Sequence, residues 1–365
     1  MEDRYIACMV LHALGDTIGY NNSKWEFMPG GSQKVWEKVN QFIDFGGVNY
    51  VPPKGWIISD DTIMHMKTAI SLLDNFKSIN SLGKILKKNY IDAYNQFLDE
   101  GVELRYPGKT LMINIGKLKN GLEWDQMDYD FNYGGSGASM RTSCIGLAYH
   151  SSTDFENLMR IAIESSRITH NSATGFLGGF TSALFTSYAI QGIDIKKWPF
   201  KLVELFDNQT INMYIRNVGR DVGNYFEDFH VFIKKWKRYL DDKFDDNGEP
   251  VFRRSSRDLR ARTEYYSRTY GDEREPDKFF PGSGGDDSTI ISYDCLLDAG
   301  KNWEKLVFYS MLHGGDTDTT GCIAGSWYGA LYGFSDVPKH LLENIEMYNQ
   351  IKQLGIDLYK KFNNK

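Results

Sequence analysis

Apolar residues recur at three- and four-residue steps along most of this chain, which is the spacing of one buried helix face. The first such segment covers residues 5–14, and its apolar positions are Ile6, Met9, Val10, Ala13 and Leu14. Glycine favours the end of a helix, so this helix is predicted to stop at Gly15 and to leave Asp16 near its end.

The same spacing predicts further helices, and Ser59 is the expected N-cap of one of them. That helix covers residues 59–76, with an inward stripe formed by Ile63, Met66, Ile70 and Leu73. The others cover residues 81–99, 111–118, 142–149, 155–166, 173–190, 288–299, 305–312, 319–331 and 339–363, with two more between 201 and 241. Residues 34–58, which contain Gly46-Gly47 and Pro52-Pro53, are predicted to be loop-rich.

No alternating run bounded by hairpin turns indicates a strand, so the predicted fold class is all-α. Length alone would suggest two domains, but helices throughout favour one compact domain over residues 1–365. The one change in composition falls in residues 242–288, which we interpret as a long charged surface excursion. Within it, a run of arginines gives way to a run of acids: Arg253, Arg254, Arg257, Arg260 and Arg262, then Asp272, Glu273, Glu275 and Asp277. Such an arginine run is usually a solvated face, and docking of a protein substrate is the alternative.

The charge balance argues against a nucleic-acid or membrane partner. The net charge of the 365 residues is −6, so no global basic field is present. No apolar run approaches the ~20 residues that span a bilayer, and the charged start is not typical of a signal peptide. The four cysteines are widely scattered (Cys8, Cys144, Cys295 and Cys322). We therefore expect buried thiols in a reducing, cytoplasmic setting.

Two short acidic clusters carry the candidate chemistry: Ser59-Asp60-Asp61-Thr62, and Asp316-Thr317-Asp318-Thr319 in the stretch 313–321. The helix dipole alone favours an acid in a first turn, so each cluster taken singly is typical of a helix cap. Carboxylates brought together would repel strongly unless cations neutralised them. Our hypothesis is that the two clusters meet and hold one or two Mg²⁺ ions through hard oxygen ligands.

Two glycine-rich loops suggest a phosphorylated ligand beside that metal site. Backbone N–H groups of residues 134–139 could contact a phosphate at a helix start, with Arg141 nearby, although a plain turn is the alternative. The second loop is Gly282-Ser283-Gly284-Gly285. His313 is either a catalytic base or a hydrogen-bonded structural residue, and His170 either orients a loop or does chemistry. Gly321, Gly325 and Gly329 indicate tight helix packing.

The motif set resembles the ADP-ribosylhydrolases over nearly the whole chain. The shared motifs are Gly15-Asp16-x-x-Gly19, Ser59-Asp60-Asp61-Thr62, Gly135–Met140, Thr169-His170-Asn171 with Thr174-Gly175, and His313-Gly314-Gly315-Asp316-x-Asp318. The likeness is greatest to the ADP-ribosylarginine hydrolase branch, on Lys24-Trp25-Glu26-Phe27, Trp327-Tyr328-Gly329 and Tyr332-Gly333. One departure is Phe279-Phe280-Pro281, which stands in place of a stretch containing Gly-Trp.

The resemblance implies a helical fold with two Mg²⁺ ions in a cleft, and it leaves open whether Mn²⁺ replaces them. It implies hydrolysis of the N-glycosidic bond between ADP-ribose and arginine on mono-ADP-ribosylated proteins, by a monomer. The implied metal ligands are Ser59, Asp60, Asp61, Asp316, Asp318 and Thr319. The implied catalytic acids are Asp60 or Asp61, which would activate water, and Glu26. The implied substrate contacts, to ADP-ribose, are Gly135, Ser136, Gly137, Ser139, Arg141, His170, Gly282, Ser283 and Gly284, with Phe280 as the candidate for adenine stacking.

Three alternatives remain open on the sequence. A relative of this branch could hydrolyse O-linked ADP-ribose, either on serine or in O-acetyl-ADP-ribose. A non-catalytic ADP-ribose binder or a structural protein with this fold is the second alternative, against which the intact aspartate pairs speak. A general two-metal phosphohydrolase is the third, and the metal-site sequence lacks the histidines common in that class.

Overall fold

The computed structural model describes residues 1–27, 31–270 and 280–363. Helices make up 72% of it, and within these ranges no sheet forms, which confirms the all-α prediction. The α-helices are α1 (Glu2–Tyr20), α2 (Gly31–Asp44), α3 (Asp60–Leu73), α4 (Ile79–Glu100), α5 (Val102–Arg105), α6 (Lys109–Lys119), α7 (Ser143–Ala148), α8 (Phe155–Arg167), α9 (Ala173–Gln191), α10 (Trp198–Asp207), α11 (Thr210–Val218), α12 (Val222–Lys243), α13 (Leu259–Tyr270), α14 (Gly285–Ala299), α15 (Trp303–Met311), α16 (Thr317–Tyr332), α17 (Lys339–Leu342) and α18 (Tyr348–Asn363).

The centre of the fold is the antiparallel pair α1 and α16, which approach closely because glycines line their contact. A Cβ at Gly329 would lie 2.4 Å from the carbonyl oxygen of Ala7, and one at Gly325 would lie 2.2 Å from that of Leu11. A Cβ at Gly15 would lie 2.1 Å from the carbonyl oxygen of Gly321. The backbones therefore touch directly, which confirms the tight packing predicted for the glycines of α16 and sets the start of α16 beside the end of α1.

Several predicted helix limits are wrong, because tertiary contacts override the local signals. Helix α1 does not stop at Gly15 but continues to Tyr20, packed against α16. The predicted loop-rich stretch contains α2, and three helices rather than two fill residues 198–243. The last predicted helix is broken into α17 and α18. On α3, Ile70 is 40% exposed rather than inward, whereas Ile63 is buried.

The segment predicted as a charged surface excursion is partly buried. Helix α13 carries Arg262, which is fully buried and donates to Asp294 and Asp298 of α14 at 2.6 Å each. Lys243, at the end of α12, lies 2.7 Å from Asp294 and 2.8 Å from Asp298. The interpretation of this arginine as part of a solvated face was therefore wrong, since its ion pairs join α13 to α14, and those of Lys243 join α12 to the same aspartates. The acidic residues at 272–277 lie outside the described residues.

Two further sequence expectations concern cysteines and membranes. All four cysteines are buried free thiols, as predicted. None of the described helices combines the length and the apolar character that a membrane crossing requires.

Candidate active site

The two acidic helix starts lie together, which is the juxtaposition the sequence predicts. Helix α3 begins at Asp60, and the Ser59 hydroxyl caps it by accepting from the Asp61 backbone N–H at 3.1 Å. Asp316 caps α16 in the same way, accepting from the Thr319 N–H at 3.3 Å. Burial, and next the charge of Asp318, raises the pKa of both Asp60 and Asp61 well above the usual carboxyl range.

A thiol of α16 bridges the two clusters directly. The Cys322 Sγ lies one turn into α16 and donates to the Asp61 Oδ2 at 3.3 Å. It also lies 3.1 Å from the Thr319 carbonyl oxygen. The clusters thus come from segments more than 250 residues apart in sequence and are in contact through buried polar atoms.

Asp16 supports the start of α3 and was not among the predicted site residues. Its two carboxylate oxygens each accept from the Ser59 N–H at 3.1 Å, and one also accepts from the Thr62 N–H and hydroxyl. Burial, and next the charge of Asp318, raises the pKa of Asp16 to about 7. The signal for this residue was its position between Gly15 and Gly19, which bring α1 against α16.

Glu26 reaches the same acidic cluster from the loop after α1. The carboxyl is buried, and its Oε1 has no hydrogen-bond partner within the described structure. Burial, and next the charges of Asp318, Asp316 and Asp60, raises the pKa of Glu26 far above its ordinary value. The structure therefore brings this predicted catalytic residue to the clustered aspartates.

Lys38 places a positive group beside these acids. It lies on α2, and its amine Nζ, whose charge depends on pH near neutrality, donates to the His313 carbonyl oxygen at 2.7 Å. Burial lowers the pKa of Lys38 to about 7, while the charges of Asp318 and Glu26 oppose that shift. Lys38 was not among the predicted site residues because residues 34–58 were predicted to be loop-rich, whereas they contain most of α2.

The two glycine-rich loops pair with one another next to the cluster. Gly135 and Gly284 form an antiparallel bridge, and the Ser136 N–H donates to the Ser283 carbonyl at 2.8 Å. The Ser136 hydroxyl also donates to the Asp316 Oδ2 at 3.3 Å. The loops of residues 134–141 and 282–285 therefore form a single wall that adjoins the acids.

Some backbone N–H groups of this wall already donate hydrogen bonds within the protein. The N–H groups of Gly282 and Gly284 donate to the Asp287 carboxylate at 2.7 and 2.8 Å. Burial, and next the charge of Asp286, raises the pKa of Asp287 to about 7. The Asp316 N–H donates to the Pro281 carbonyl at 2.9 Å. The second loop thus anchors the Asp316 turn, and its two bonded N–H groups are not free for a ribose.

Two predicted substrate contacts, Ser139 and Arg141, are buried beneath the first loop. The Ser139 hydroxyl donates to the Ser136 carbonyl at 2.8 Å and is fully buried. The Arg141 guanidinium is also fully buried and donates to the Tyr90 hydroxyl and to the Gly137 and Ser165 carbonyls. These bonds give Arg141 a structural role in place of the expected phosphate contact.

His170 also supports the first loop from below. A Cβ at Gly137 would lie 2.5 Å from the His170 ring, so glycine permits this close contact. Burial, and next the charge of Arg141, lowers the pKa of His170 to about 3, so the ring is neutral at physiological pH. This geometry agrees with the loop-orienting alternative for His170.

Two other predicted residues have clear surroundings. The His313 ring accepts from the Gly315 N–H at 3.0 Å and lies 2.8 Å from the Thr320 hydroxyl, which favours its structural alternative. Phe280 is partly exposed and packs edge-on against Phe27, with ring centroids 5.2 Å apart. Phe279 lies outside the described residues.

A surface groove of about 640 Å³ runs between α3, α4 and α18. Its lining residues are Ile63, Met66, Lys67, Ile70, Gln96, Met347, Asn349, Gln350, Gln353 and Leu354. None of them is a predicted site residue, so this groove is separate from the acidic cluster.

Comparison with known proteins identifies the family of this chain. A family model described as ADP-ribosylglycohydrolase matches residues 1–365. The chain belongs to the ADP-ribosylglycohydrolase family. The family makes it a hydrolase of ADP-ribose linkages, with ADP-ribosylated proteins as substrates.

Individual relatives of this ADP-ribosylglycohydrolase family member include one named ADP-ribosylhydrolase ARH1 from Dictyostelium discoideum. It is 36% identical over 369 residues, covering 96% of this chain and 92% of the relative. The putative ADP-ribosyl glycohydrolase L444 of Acanthamoeba polyphaga mimivirus is 34% identical, over 94% of this chain and 67% of its own length. Human ADP-ribosylhydrolase ARH3 is 27% identical over 62% of this chain and 58% of its own length.

The fold itself is similar to a solved structure titled ADP-ribosylglycohydrolase-related protein complex. The TM-score is 0.59 at 17% identity, and the match covers 98% of both chains. At that identity the likeness shows the fold alone.

The donor set of this ADP-ribosylglycohydrolase family member fits a hard divalent cation. The buried carboxyls around the site belong to Asp16, Glu26, Asp60, Asp61, Asp316 and Asp318. Such oxygens suit Mg²⁺ or Mn²⁺, and the partnerless Oε1 of Glu26 is a buried acceptor left for a ligand. Across residues 1–27, 31–270 and 280–363, however, no three His, Cys, Asp or Glu groups are already arranged to hold an ion.

Proposed function

We propose that this chain hydrolyses the N-glycosidic bond between the C1″ atom of ADP-ribose and an arginine guanidinium on proteins, with two Mg²⁺ ions as cofactors. The observation that carries the proposal is the meeting of the two acidic helix starts in a buried site. Burial, and next the charge of Asp318, raises the pKa of Asp60 and Asp61, and a bound cation would relieve both costs of ionising them.

The cation ligands in this proposal are Ser59, Asp60, Asp61, Asp316, Asp318 and Thr319. Bound Mg²⁺ would supply positive charge that orients the ribose hydroxyls and water. Mn²⁺ has the same preference for oxygen ligands and would substitute.

The protein's own groups account for the remaining chemistry. Cleavage of an anomeric bond passes through an oxocarbenium-like state, which nearby carboxylates stabilise. Asp60 or Asp61 would accept a proton from the attacking water, and Glu26, whose raised pKa favours the protonated form, could return a proton to the leaving guanidine. The loop of residues 134–139 would position the diphosphate beside the cluster, since Ser136 already contacts Asp316.

The choice of the arginine linkage rests on two supports. The residues around Glu26 and at the end of α16 resemble the ADP-ribosylarginine hydrolase branch. The relative named ARH1 also matches this chain at 36% identity over 96% of its length, against 27% over 62% for human ARH3. The ARH3 match keeps O-linked ADP-ribose as the alternative substrate class.

A peptide panel tests this proposal. Peptides carrying ADP-ribose on arginine or on serine are incubated with the protein in Mg²⁺ or in excess chelator, and released ADP-ribose is measured. We expect release from the arginine peptide alone, and only with Mg²⁺ present. Release from the serine peptide instead would refute the arginine assignment, and release that is indifferent to chelator would refute the cation requirement.

Variants separate chemistry from folding. Asp60→Ala and Asp318→Ala should each reduce turnover at least about a hundredfold, because charge stabilisation by a cation is worth several kcal/mol. Asp207→Ala is the matched control, since Asp207 is exposed and forms a surface ion pair with Lys237 at 2.7 Å. Equal activity of all three variants would show that the acidic cluster is not the active site.

A further inference from the structure

Ile58 directly precedes Ser59, and charged side chains bond to both its backbone N–H and its backbone carbonyl. The Ile58 N–H donates to the Glu346 Oε2 at 3.0 Å. The Ile58 carbonyl accepts from the Arg105 Nη1 at 2.8 Å. Neither charged residue lies near Ile58 in sequence, since Arg105 ends α5 and Glu346 lies between α17 and α18.

Arg105 and Glu346 are themselves joined by a two-pronged ion pair. The Arg105 Nη1 and Nη2 donate to the two Glu346 oxygens at 2.6 and 2.9 Å. Arg105 is only 4% exposed, so solvent screens this pair weakly. Paired N–H donors facing a carboxylate fix its orientation as well as its distance. The result is a closed ring of hydrogen bonds through Arg105, Glu346 and the Ile58 backbone, which we call the Ile58 clamp.

The Ile58 clamp completes the fixation of the backbone that leads into α3. The next N–H, that of Ser59, donates to Asp16, and the Ser59 hydroxyl caps the helix. Consecutive backbone groups are thus bonded to side chains from α1, from α5 and from the turn before α18. Because Asp60 follows immediately, its direction depends on where this backbone is held.

We propose that Arg105 and Glu346 are positioning residues for the active site, acting through the Ile58 backbone on Ser59 and Asp60. This proposal rests on the proposed function where it concerns cation binding. The clamp fixes the end of α3 from which the acids project, so loosening it should spread the carboxylates and weaken cation binding. Loss of outer supporting contacts lowers metal affinity by about 10–100-fold in other sites.

The chain contains a matched control for this role. Glu100 also binds Arg105, accepting from its Nε at 2.8 Å, but makes no bond to Ile58. Glu100 and Glu346 have similar side-chain exposure, 29% and 27%. If the ion pairs only stabilised the fold, changing either glutamate would have the same effect on the backbone before α3. If the clamp positions that backbone, only a change at Glu346 affects the active site.

The experiment compares Glu346→Gln with Glu100→Gln in the full chain. Glutamine keeps the size but replaces one acceptor oxygen by a donor, which opposes either Arg105 or the Ile58 N–H. Amide hydrogen exchange of residues 57–62 is measured without cations, and Mn²⁺ affinity is measured by titration. For Glu346→Gln we expect about tenfold faster exchange there and about tenfold weaker Mn²⁺ binding. For Glu100→Gln we expect less than about a twofold change in either.

Equal exchange rates at residues 57–62 in the two variants would overturn the clamp. If the wild type neither binds Mn²⁺ nor releases ADP-ribose, the proposed function fails while the exchange comparison still decides the clamp. Should Glu346→Gln not fold, Arg105→Lys replaces it, since lysine keeps the charge but lacks the fork. The same faster exchange is then expected, and its absence overturns the proposal.

Discussion

The contact between α1 and α16 offers a sharp test of how this site is assembled, through Gly15→Ala. An added methyl group would lie 2.1 Å from the Gly321 carbonyl oxygen and 2.5 Å from its carbon. Both atoms belong to backbone, so no side chain can rotate out of the way. The helices would have to separate, and Asp16, the next residue, would move relative to Ser59.

Two opposing effects set the size of the change in stability. Alanine is better than glycine inside a helix by about 1 kcal/mol, which would stabilise the variant. Overpacking of a tight interior costs about 1–3 kcal/mol, and a backbone clash belongs at the upper end of that range. We therefore expect Gly15→Ala to lower the free energy of unfolding by about 2 kcal/mol.

Gly116→Ala supplies the control, measured by urea denaturation beside Gly15→Ala. Gly116 lies within α6, and a Cβ there would meet only the Tyr94 hydroxyl at 3.7 Å, an ordinary contact. It should raise the free energy of unfolding by about 0.5–1 kcal/mol. If Gly15→Ala were as stable as Gly116→Ala, the close approach of the two helices would not be what holds Asp16 at the site.

Two further predictions concern buried charge. Arg262→Met should lower the free energy of unfolding by about 3–5 kcal/mol, because it leaves Asp294 and Asp298 buried with one cation fewer. The control is Arg254→Met, because the Arg254 side chain is 80% exposed, and it should change the free energy of unfolding by less than about 0.5 kcal/mol. If urea denaturation gave equal losses for Arg262→Met and Arg254→Met, the burial argument would be contradicted. The second prediction concerns His170, which has a pKa of about 3 in the folded protein against 6.5 ordinarily. The free energy of unfolding that its buried neutral ring contributes is therefore intact above pH 6.5 and is lost as the pH falls. Between pH 7.5 and 5 the wild type should lose about 2 kcal/mol that His170→Gln does not lose, and parallel stability curves would refute a buried neutral ring.

Sequence reasoning succeeded where the signal is local. The apolar spacing identified most helices, and the Ser59 cap was predicted because capping depends on a few adjacent residues. The glycines of α16 were correctly interpreted as packing residues, since they repeat every fourth residue and so lie on one face of the helix. The roles of Asp60, Asp61, Asp316 and Asp318 as metal ligands stay predictions.

The errors share a physical cause. Arg141 looked like an anion-binding side chain beside a glycine loop, but only its contacts with Tyr90 and Ser165 reveal that it is buried. Arg262 looked like part of a solvated face until its buried aspartate partners were seen. In both cases the charge of a residue was visible in the sequence and its burial was not.

The sequence by itself therefore determined the helical class, the acidic helix starts and the family likeness, because each is written in short runs of neighbouring residues. The tertiary structure alone decided that Asp16 and Lys38 lie beside those acids and that Glu346 bonds to the backbone before them. Their hydrogen bonds join segments separated by 43, 275 and 288 positions, and only packing of the helices brings such distant backbone and side-chain groups within reach.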